Sequence, residues 1–480
     1  MQDTSTPPKS ATPKKVHFIG ICGVAMSAVA TALWQKGYRV TGSDSGFFPP
    51  VSTHLTNLGI PYYPGFHPEK MVEGGVPDFV VVGNAIATKN PEVVYAQENG
   101  IPLKSFPEVV GEYLIQRHSV VATGTWGKTT SSALLAHILA HANLKPSYLI
   151  GGVTQDGSPS AVIDQGDWSV AEGDEYTTAK WDQRPKFMHY KPTHLLLTAV
   201  RWDHADVYPR EEDYFNAFRK LIDLVPKGET PMDGLIVGCS DNAKLIELLA
   251  ETNREYVSYG SGESANYRYH DIAESKGGIR FSIDYHGKEY QIESPLLGAY
   301  NAENVTGCFA MAKEIGIAPG EITDAIKGFH GMKRRLEKRY EHKVTVIDDI
   351  AHSAEKVKSV LLTLRKAYNG SIIAVYEPNS GNRTPQSKPA YSDAFKDATT
   401  VVIPRLSKLK VDESNPEKMF EGQELADTIA QTHSDTHYFE SDEELVTFVT
   451  ENRKEGDVIA FLGSHGFRGM IEAAIKKIAL

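Results

Sequence analysis

Cysteine is scarce in this sequence. The three cysteines, Cys22, Cys239 and Cys308, include no CxxC pair, which argues against a disulfide framework and against a thiolate zinc site. No run of about 18 apolar residues occurs, so we expect no membrane span. The N-terminus is polar and proline-rich and has no apolar segment typical of a secretory signal. These absences predict a cytoplasmic protein in which residues 1–13 form a disordered tail.

An excess of positive charge is also lacking. The chain has 480 residues, with 50 Lys and Arg against 61 Asp and Glu, and its formal net charge is -11. A globally acidic protein repels phosphate backbones, so we expect no nucleic-acid partner. The composition is that of a globular protein. The length predicts about three domains of roughly 150 residues each.

Three cycles of strand, glycine-rich turn and helix run along the sequence. The first covers residues 16–44, the second begins at residues 119–139, and the third follows residues 331–340. Such alternation is typical of parallel sheets with helices on both faces. We therefore predict an α/β protein. Its three domains are predicted to span residues 14–116, 117–336 and 337–480.

The strongest local pattern is a phosphate-binding loop, GTWGKTT, between a predicted strand and a predicted helix. Lys128 would reach the β- and γ-phosphates of ATP, and Thr129 would offer its hydroxyl to Mg²⁺. A full Walker pattern has glycine where this chain has Ala122, so the loop is a shortened variant. The alternative is a glycine-rich turn with an unrelated lysine. The candidate ATP ligands are Gly124, Thr125, Gly127, Lys128, Thr129 and Thr130.

A carboxylate and an imidazole follow two further predicted strands. Glu172 and His204 lie where the carboxyl ends of parallel strands meet the ligand crevice. Both could share Mg²⁺ with Thr129. Taken alone, however, a histidine such as His204 is more often a surface or hydrogen-bonding residue than a metal ligand. The nearby acidic residues, which fit solvated carboxylates when considered singly, are Asp174, Glu175, Asp203 and Asp206.

Two later segments carry polar residues with two interpretations each. Asn301 and Asn304 either cap a helix or, through an amide that donates and accepts, read an adenine. Arg334 and Arg335, at the second predicted boundary, are either a basic linker or a hinge from which an arginine reaches the γ-phosphate. The sequence does not choose between these interpretations.

The first glycine-rich loop, at residues 20–26, resembles a dinucleotide fingerprint but lacks its third glycine. It favours a nucleotide diphosphate at the start of the helix, without deciding between NAD and a nucleotide sugar. The candidate ligands in this loop are Gly20, Cys22 and Gly23. Asp44, which ends the next predicted strand, could accept a ribose hydroxyl.

Six segments occur in an order that resembles the Mur ligases, which build and recycle the peptide of the bacterial cell wall. They are TGTWGKTT, AEGDE, WDHAD, YNAEN, GMKRRLE and DDIAH, and the resemblance runs from about residue 15 to residue 470. It implies three domains: a Rossmann-like N-terminal domain for a UDP-sugar, a central P-loop ATPase domain with a parallel sheet, and a C-terminal Rossmann-like domain for the incoming amine. It also implies ATP and Mg²⁺, in a monomer or a homodimer.

The short first loop resembles the branch of the family that binds UDP-N-acetylmuramate. Members of that branch join its lactyl carboxylate either to L-alanine or to a whole L-Ala-γ-D-Glu-meso-diaminopimelate tripeptide. The segments GSDSGFFPPVST, VVGNA and YEPNS are more similar to the tripeptide-joining members, which act in recycling. We therefore predict tripeptide ligation, with L-alanine ligation as the alternative, and add Ser43 and Asn84 to the UDP-sugar site.

The resemblance also implies roles for matching positions. These are Lys128 and Thr129 for ATP and Mg²⁺, Glu172 and His204 for a second metal ion, Asn301 for adenine, Arg335 for phosphates, Asp349 for ribose, and His352 for the incoming amine. Whether Lys186 or Arg184 touches the substrate stays open.

The chain departs from the family pattern near the phosphate loop and on the amine side. The departures are Trp126, Thr177, Ala199, Arg201, Ser353, Ala354 and Asn379. They leave the metal and phosphate ligands in place but alter the amine-recognition surface. Two other functions remain alternatives: a UDP-sugar-binding regulator without catalysis, and an NAD oxidoreductase based on the first loop alone.

Overall fold

The structure, a computed structural model, describes residues 13–49, 51–204, 207–407, 419–451 and 453–479. Residues 1–12 of the predicted tail, and Asp206, lie outside the described residues. No helix within those ranges combines the length and the apolar character needed to cross a bilayer.

The first domain is a parallel five-stranded sheet flanked by helices. Its elements are β1 Lys15–Ile19, α1 Val24–Gln35, β2 Arg39–Asp44, α2 Val51–Asn57, β3 Tyr62–Pro64, α3 Pro68–Met71, β4 Phe79–Val82, α4 Pro91–Glu98, β5 Leu103–Ser105 and α5 Phe106–Tyr113. The strand order is β3-β2-β1-β4-β5. Gly37, with φ +87°, follows α1 and donates its N–H to the Trp34 carbonyl, 2.9 Å away, so a left-handed glycine ends the helix.

The second domain contains a ten-stranded sheet. Its elements are β6 His118–Thr123, α6 Lys128–His141, β7 Ser147–Leu149, β8 Ala161–Val162, β9 Trp168–Gly173, β10 Thr177–Ala179, β11 Asp182–Pro185, β12 His194–Leu197, α7 Glu211–Leu224, β13 Leu235–Cys239, α8 Ala243–Thr252, β14 Val257–Gly260, β15 Tyr267–Ser275, β16 Gly278–Tyr285, β17 Lys288–Ser294, α9 Tyr300–Glu314 and α10 Pro319–Gly328. The order is β17-β16-β15-β14-β13-β12-β6-β9-β7-β8, and β10 pairs with β11 as a separate hairpin.

The predicted parallel arrangement is confirmed for the middle of this sheet, from β15 to β7. Strands β16 and β17 at one edge and β8 at the other are antiparallel. The sheet is therefore mixed, and the antiparallel edges are additions to the predicted architecture. The phosphate loop follows β6, near the centre of the sheet, where the strands on both sides are parallel.

The third domain is a six-stranded sheet. Its elements are β18 Glu337–Glu341, β19 Thr345–Asp349, α11 Ala354–Ala367, β20 Ile372–Glu377, β21 Thr400–Pro404, α12 Gly422–Ala430, β22 Thr436–Phe439, α13 Asp442–Thr450, β23 Val458–Gly463 and α14 Met470–Ile478. The order is β18-β19-β23-β20-β21-β22, with only β18 antiparallel to its neighbour. Short 3₁₀ turns occupy Lys186–His189, Ser380–Asn382, Pro385–Tyr391 and Phe467–Gly469.

One apolar core joins the first two domains, whereas the third domain has its own. Phe106 and Val109 of α5 belong to the same buried cluster as Phe187 and Tyr190 of the second domain. The approach is close, because a Cβ on Gly111 would lie 2.4 Å from the His189 carbonyl oxygen. Separate clusters cover the two faces of the third sheet. The first two domains are therefore fixed against each other by burial of apolar surface.

Candidate active site

The phosphate loop is shaped by two glycines that no other residue could replace. Gly124 has φ +138° and Gly127 has φ +82°. A Cβ would lie 2.2 Å from Thr198 Oγ1 at the first glycine and 2.3 Å from Asn304 Oδ1 at the second. The loop connects β6 to the first turn of α6, as predicted, so its N–H groups and the helix N-terminus face the same space.

The loop is fastened to the segment after β12. The Thr125 N–H donates to the Ala199 carbonyl at 2.6 Å, and the Thr125 hydroxyl donates to the Arg201 carbonyl at 2.7 Å. The Thr198 hydroxyl donates to the Trp126 carbonyl at 2.5 Å. Thr125 therefore holds the loop in shape here, and its predicted contact with ATP stays a prediction.

Glu172 lies directly against Thr129, as the sequence predicts for a shared metal ion. The Thr129 hydroxyl donates to Glu172 Oε1 at 3.0 Å, and the Gly151 N–H donates to Oε2 at 2.7 Å. Burial raises the pKa of Glu172 in spite of these donors and of the nearby charges of Lys128 and Arg335. A buried carboxylate beside a hydroxyl is the oxygen ligand set that Mg²⁺ prefers, and a cation would relieve the cost of the ionised form.

The structure gives Glu175 a role that the sequence does not indicate. Its side chain is 1% exposed and accepts from Lys128 Nζ through both oxygens at 2.9 Å, while His204 Nε2 lies 3.0 Å from Oε1. Tyr208 donates its hydroxyl to the Glu175 carbonyl at 2.5 Å. The interpretation of Glu175 as a solvated carboxylate is therefore wrong, because its side chain is buried. The carboxylate of Glu175 links Lys128 of the phosphate loop to His204, the candidate metal ligand.

His204 hydrogen-bonds to Glu175 and Asp203 rather than to Thr129 or Glu172 within the described residues. Its hydrogen bond with Glu175 raises its pKa, against the opposing effect of burial. With Nε2 facing Glu175, the ring nitrogen left for a metal is Nδ1, an arrangement in which a carboxylate orients a ligating imidazole. The metal role of His204 stays a prediction.

Glu175→Gln is expected to destabilise the nucleotide-free protein by about 2–3 kcal/mol, because Lys128 and His204 would lose their buried counter-charge. The pKa of His204 is raised in the fold, so its share of the stabilisation is present below its unfolded pKa and disappears as the pH rises through the folded value. The gap in melting temperature between wild type and variant should be larger at about pH 6 than at about pH 9. A gap that does not change with pH would show that His204 and Glu175 are not coupled.

The two hinge arginines have different partners. Arg335 Nη2 donates to Thr129 Oγ1 at 3.3 Å. Arg334 donates to the carbonyls of Gly463 at 2.5 Å and Ser464 at 3.0 Å, and forms an ion pair with Asp348. Arg334 is therefore structural, whereas Arg335 projects onto the phosphate loop from the other side of the hinge, where a phosphate ligand is predicted.

Asp349 and His352 lie together at the end of β19. Asp349 is 7% exposed and accepts from the N–H groups of Leu336 at 2.7 Å and Ala351 at 2.8 Å. Burial raises its pKa to about 6. The Nδ1 of His352 lies 2.7 Å from the Ile350 carbonyl, and burial, then Lys356, lowers its pKa. The predicted ribose and amine roles of these two residues remain predictions.

Asn301 is 6% exposed, and its amide is already bonded inside the protein. Its Nδ2 donates to the Leu297 carbonyl at 2.8 Å, and its Oδ1 accepts from Asn304 Nδ2 at 3.0 Å. The N-cap of α9 is Ala299, without a side-chain bond, so the predicted helix-capping role is wrong. The adenine role stays a prediction.

In the first domain, Asp44 fastens the glycine-rich loop. The Cys22 N–H donates to Asp44 Oδ2 at 2.9 Å, and the Gly20 N–H donates to the Ser43 carbonyl at 2.8 Å. The Ser43 side chain is fully buried and donates to Glu92 at 2.5 Å. Ser43 therefore stabilises the loop through its backbone carbonyl, while its side chain is bonded inside the domain. The UDP-sugar contacts of these residues stay predictions.

A cleft of about 170 Å³ lies between the first domain and Glu172. Its walls include Ala25, at the start of α1, and Asn84 on one side, with Glu172, Asp174 and Lys186 on the other. The cleft therefore connects Ala25 of the predicted UDP-sugar loop with Glu172, which contacts Thr129 of the phosphate loop.

Fold and site together define a class: a three-domain α/β protein whose phosphate loop contacts Glu172, a carboxylate on the wall of an interdomain cleft. Family models match all three domains: "Mur ligase family, catalytic domain" at residues 15–118, "Mur ligase middle domain" at 122–312, and "Mur ligase, glutamate ligase domain" at 334–465. The chain belongs to the Mur ligase family. It is an ATP-dependent ligase of peptidoglycan metabolism, and the family's enzymes generally use Mg²⁺.

Relatives with two different names resemble the chain over most of its length. A UDP-N-acetylmuramate–L-alanine ligase from Anaeromyxobacter sp. (strain Fw109-5) is 33% identical, covering 82% of each chain. A UDP-N-acetylmuramate–L-alanyl-γ-D-glutamyl-meso-2,6-diaminoheptandioate ligase from Haemophilus influenzae is 29% identical, covering 97% of this chain and 100% of the relative. The crystal structure of the alanine ligase from Thermotoga maritima is 23% identical with a TM-score of 0.77, covering 97% and 99% of the two chains, and supports the fold.

Proposed function

We propose that this ligase uses ATP to activate the lactyl carboxylate of UDP-N-acetylmuramate and joins it to the N-terminal amine of L-Ala-γ-D-Glu-meso-diaminopimelate. The observation that carries the proposal is the convergence of Lys128, Glu172 and Arg335 on one phosphate loop. Glu172, which accepts a hydrogen bond from Thr129 of that loop, also lines the cleft together with Ala25 and Asn84 of the first domain. The tripeptide is supported by the GSDSGFFPPVST and YEPNS segments and by the name of the Haemophilus relative.

In the first step, a lactyl carboxylate oxygen attacks the γ-phosphorus of ATP, and ADP leaves. Both reactants are anionic, so the chain must supply positive charge where they meet. Lys128 would leave Glu175 for the phosphates, and Arg335 would join it from the hinge. Thr129, Glu172 and His204 would hold Mg²⁺, which offsets the charge that gathers on the phosphate oxygens.

In the second step, the neutral amine attacks the acyl phosphate, and a tetrahedral intermediate collapses to the amide and inorganic phosphate. The amine nitrogen must lose a proton. His352 or a water would take this proton. The Nδ1 of His352 is directed at the Ile350 carbonyl and its pKa is lowered, so the accepting nitrogen would be Nε2, which lies 3.4 Å from Lys356 Nζ. Closure of the third domain would bring Arg335 and Asp349 onto ATP and exclude water from the acyl phosphate.

L-Alanine is the second candidate acceptor. It is favoured by the names of two relatives that are 33% and 30% identical to this chain. The reaction steps are the same, and only the size of the acceptor changes. The departures at Ser353, Ala354 and Asn379 lie on the acceptor side of the site, which is why the acceptor needs a direct measurement.

The deciding experiment measures phosphate release from ATP and Mg²⁺ with UDP-N-acetylmuramate, comparing L-alanine with the tripeptide. We expect release with the tripeptide and little with L-alanine. Release with L-alanine alone would assign the enzyme to synthesis rather than recycling. If neither acceptor gave phosphate release, the proposal would be contradicted, and a binding protein that has lost catalysis would be favoured.

A further inference from the structure

Lys186 is the one cationic side chain among the described residues that line the interdomain cleft. The same wall carries two carboxylates, Glu172 and Asp174. An anionic substrate group entering this space would meet two negative charges, so it needs a cation at a fixed place.

The backbone places Lys186 firmly. Its N–H donates to the Tyr176 carbonyl at 2.9 Å, closing the base of the β10–β11 hairpin. Lys186 is the first residue of the 3₁₀ turn Lys186–His189, and the next residue, Phe187, is fully buried. Tyr190, just after the turn, is 1% exposed. Because the turn is held by the core shared by the first two domains, Lys186 does not depend on a mobile surface loop.

The ammonium group of Lys186 keeps free donors. Its Nζ lies 2.5 Å from Asp174 Oδ2. Burial acts to raise the pKa of Asp174, but the charge and hydrogen bond of Lys186, the Tyr176 N–H and the charge of Lys128 together lower it. An ammonium group has three N–H donors, so one bond to Asp174 leaves two for a ligand. The pair holds Lys186 in position without using up its hydrogen-bonding capacity.

The other cations near the cleft have different partners. Lys128 is held by Glu175, beside the phosphate loop. Arg184 is 64% exposed at its side chain and is paired with Asp182, and it does not line the cleft. Of the two side chains that the sequence left open, Lys186 and Arg184, the structure therefore favours Lys186.

We propose that Lys186 binds the lactyl carboxylate of the UDP-sugar and thereby selects a UDP-sugar that carries a carboxylate over one that does not. The inference rests on the proposed function, and it names the group that recognises the reacting end of that substrate. The carboxylate would lie between Lys186 and the phosphate loop, because Glu172 borders both the cleft and Thr129. Lys186 thus positions the nucleophile for attack on ATP.

The test is equilibrium binding, by calorimetry without ATP, of UDP-N-acetylmuramate and of UDP-N-acetylglucosamine, which lacks the lactyl carboxylate. For the wild type we expect the first to bind about ten- to a hundred-fold more tightly, the range of a charge-assisted hydrogen bond. Lys186→Met should reduce UDP-N-acetylmuramate binding to the level of UDP-N-acetylglucosamine and leave the latter unchanged. Lys186→Arg should retain part of the preference.

Lys180, an exposed lysine at the tip of the same hairpin, provides the matched control, and Lys180→Met should bind both sugars as the wild type does. If Lys186→Met fails to fold, Lys186→Gln permits the same comparison. Equal losses for both sugars, or no loss for either, would overturn the inference. A wild-type protein without any preference for UDP-N-acetylmuramate would overturn the proposed function itself. In kinetics, the variant should raise the KM for UDP-N-acetylmuramate and leave the KM for ATP unchanged.

Discussion

Lys128→Ala is expected to reduce phosphate release by at least about a thousand-fold, which corresponds to about 4 kcal/mol of lost transition-state stabilisation. Lys128 is the first residue of α6, and we propose that its ammonium group stabilises the transferred phosphate. The fold should persist, because the loop is held by Thr125 and Thr198 rather than by Lys128. Steady-state phosphate release and circular dichroism measure the two effects.

Lys180→Ala, a change of the same kind at an exposed position, should leave turnover unaltered. If Lys128→Ala kept the wild-type rate, the mechanism of acyl-phosphate formation on this loop would be wrong. If the variant lost its secondary structure, Lys128→Met, which keeps most of the side-chain length, would separate a folding defect from a catalytic one.

Glu172→Gln is expected to lower turnover by about a hundred-fold or more, because the metal site loses its negative charge. Binding of Mn²⁺, followed by electron paramagnetic resonance in the presence of ATP, should weaken in parallel. The melting temperature without nucleotide should not fall. Burial raises the pKa of Glu172, so the ionised form is costly in the empty fold and a neutral amide removes that cost.

Glu293→Gln is the matched control, because Glu293 is a surface carboxylate of β17 paired with Arg280 and Lys327. It should leave Mn²⁺ binding and turnover at wild-type values. Unchanged Mn²⁺ affinity in Glu172→Gln would show that the carboxylate bonded to Thr129 does not serve the metal.

The sequence predicts most strongly where a local pattern and its environment agree. The loop around Lys128 is identifiable because glycine, lysine and threonine must stand between a strand and a helix for phosphate binding. Some strands of the parallel core are predicted, because a buried parallel strand is a continuous apolar run such as HLLL in β12. No strand is predicted between residues 200 and 344, where β13 to β18 lie. Strands such as β17, KEYQIES, have one solvated face and a weak apolar signal.

Side-chain partners are what the sequence could not supply. Glu175 and Asp174 are adjacent acidic residues, yet one is 1% exposed and holds Lys128 while the other faces the cleft with Lys186. No local pattern distinguishes them, because the difference depends on the chain direction after β9 and on residues some 30 to 50 positions away. The same holds for Arg334 and Arg335, which only the tertiary structure separates.

Consecutive arginines at the hinge restrict how the molecule can open. Neighbouring Cα atoms are about 3.8 Å apart. Even so, Arg334 donates to the carbonyls at the end of β23, whereas Arg335 donates to Thr129. Two adjacent residues therefore connect the third domain to the phosphate loop, and this short connection limits how far the two can move apart. Separation of the third domain from the phosphate loop would break the bond of Arg335 to Thr129, and separation from β15 would break the ion pair of Lys366 with Glu274. A nucleotide that bound Arg335 would strengthen the contact between the third domain and the phosphate loop. Release of the nucleotide would then weaken this contact.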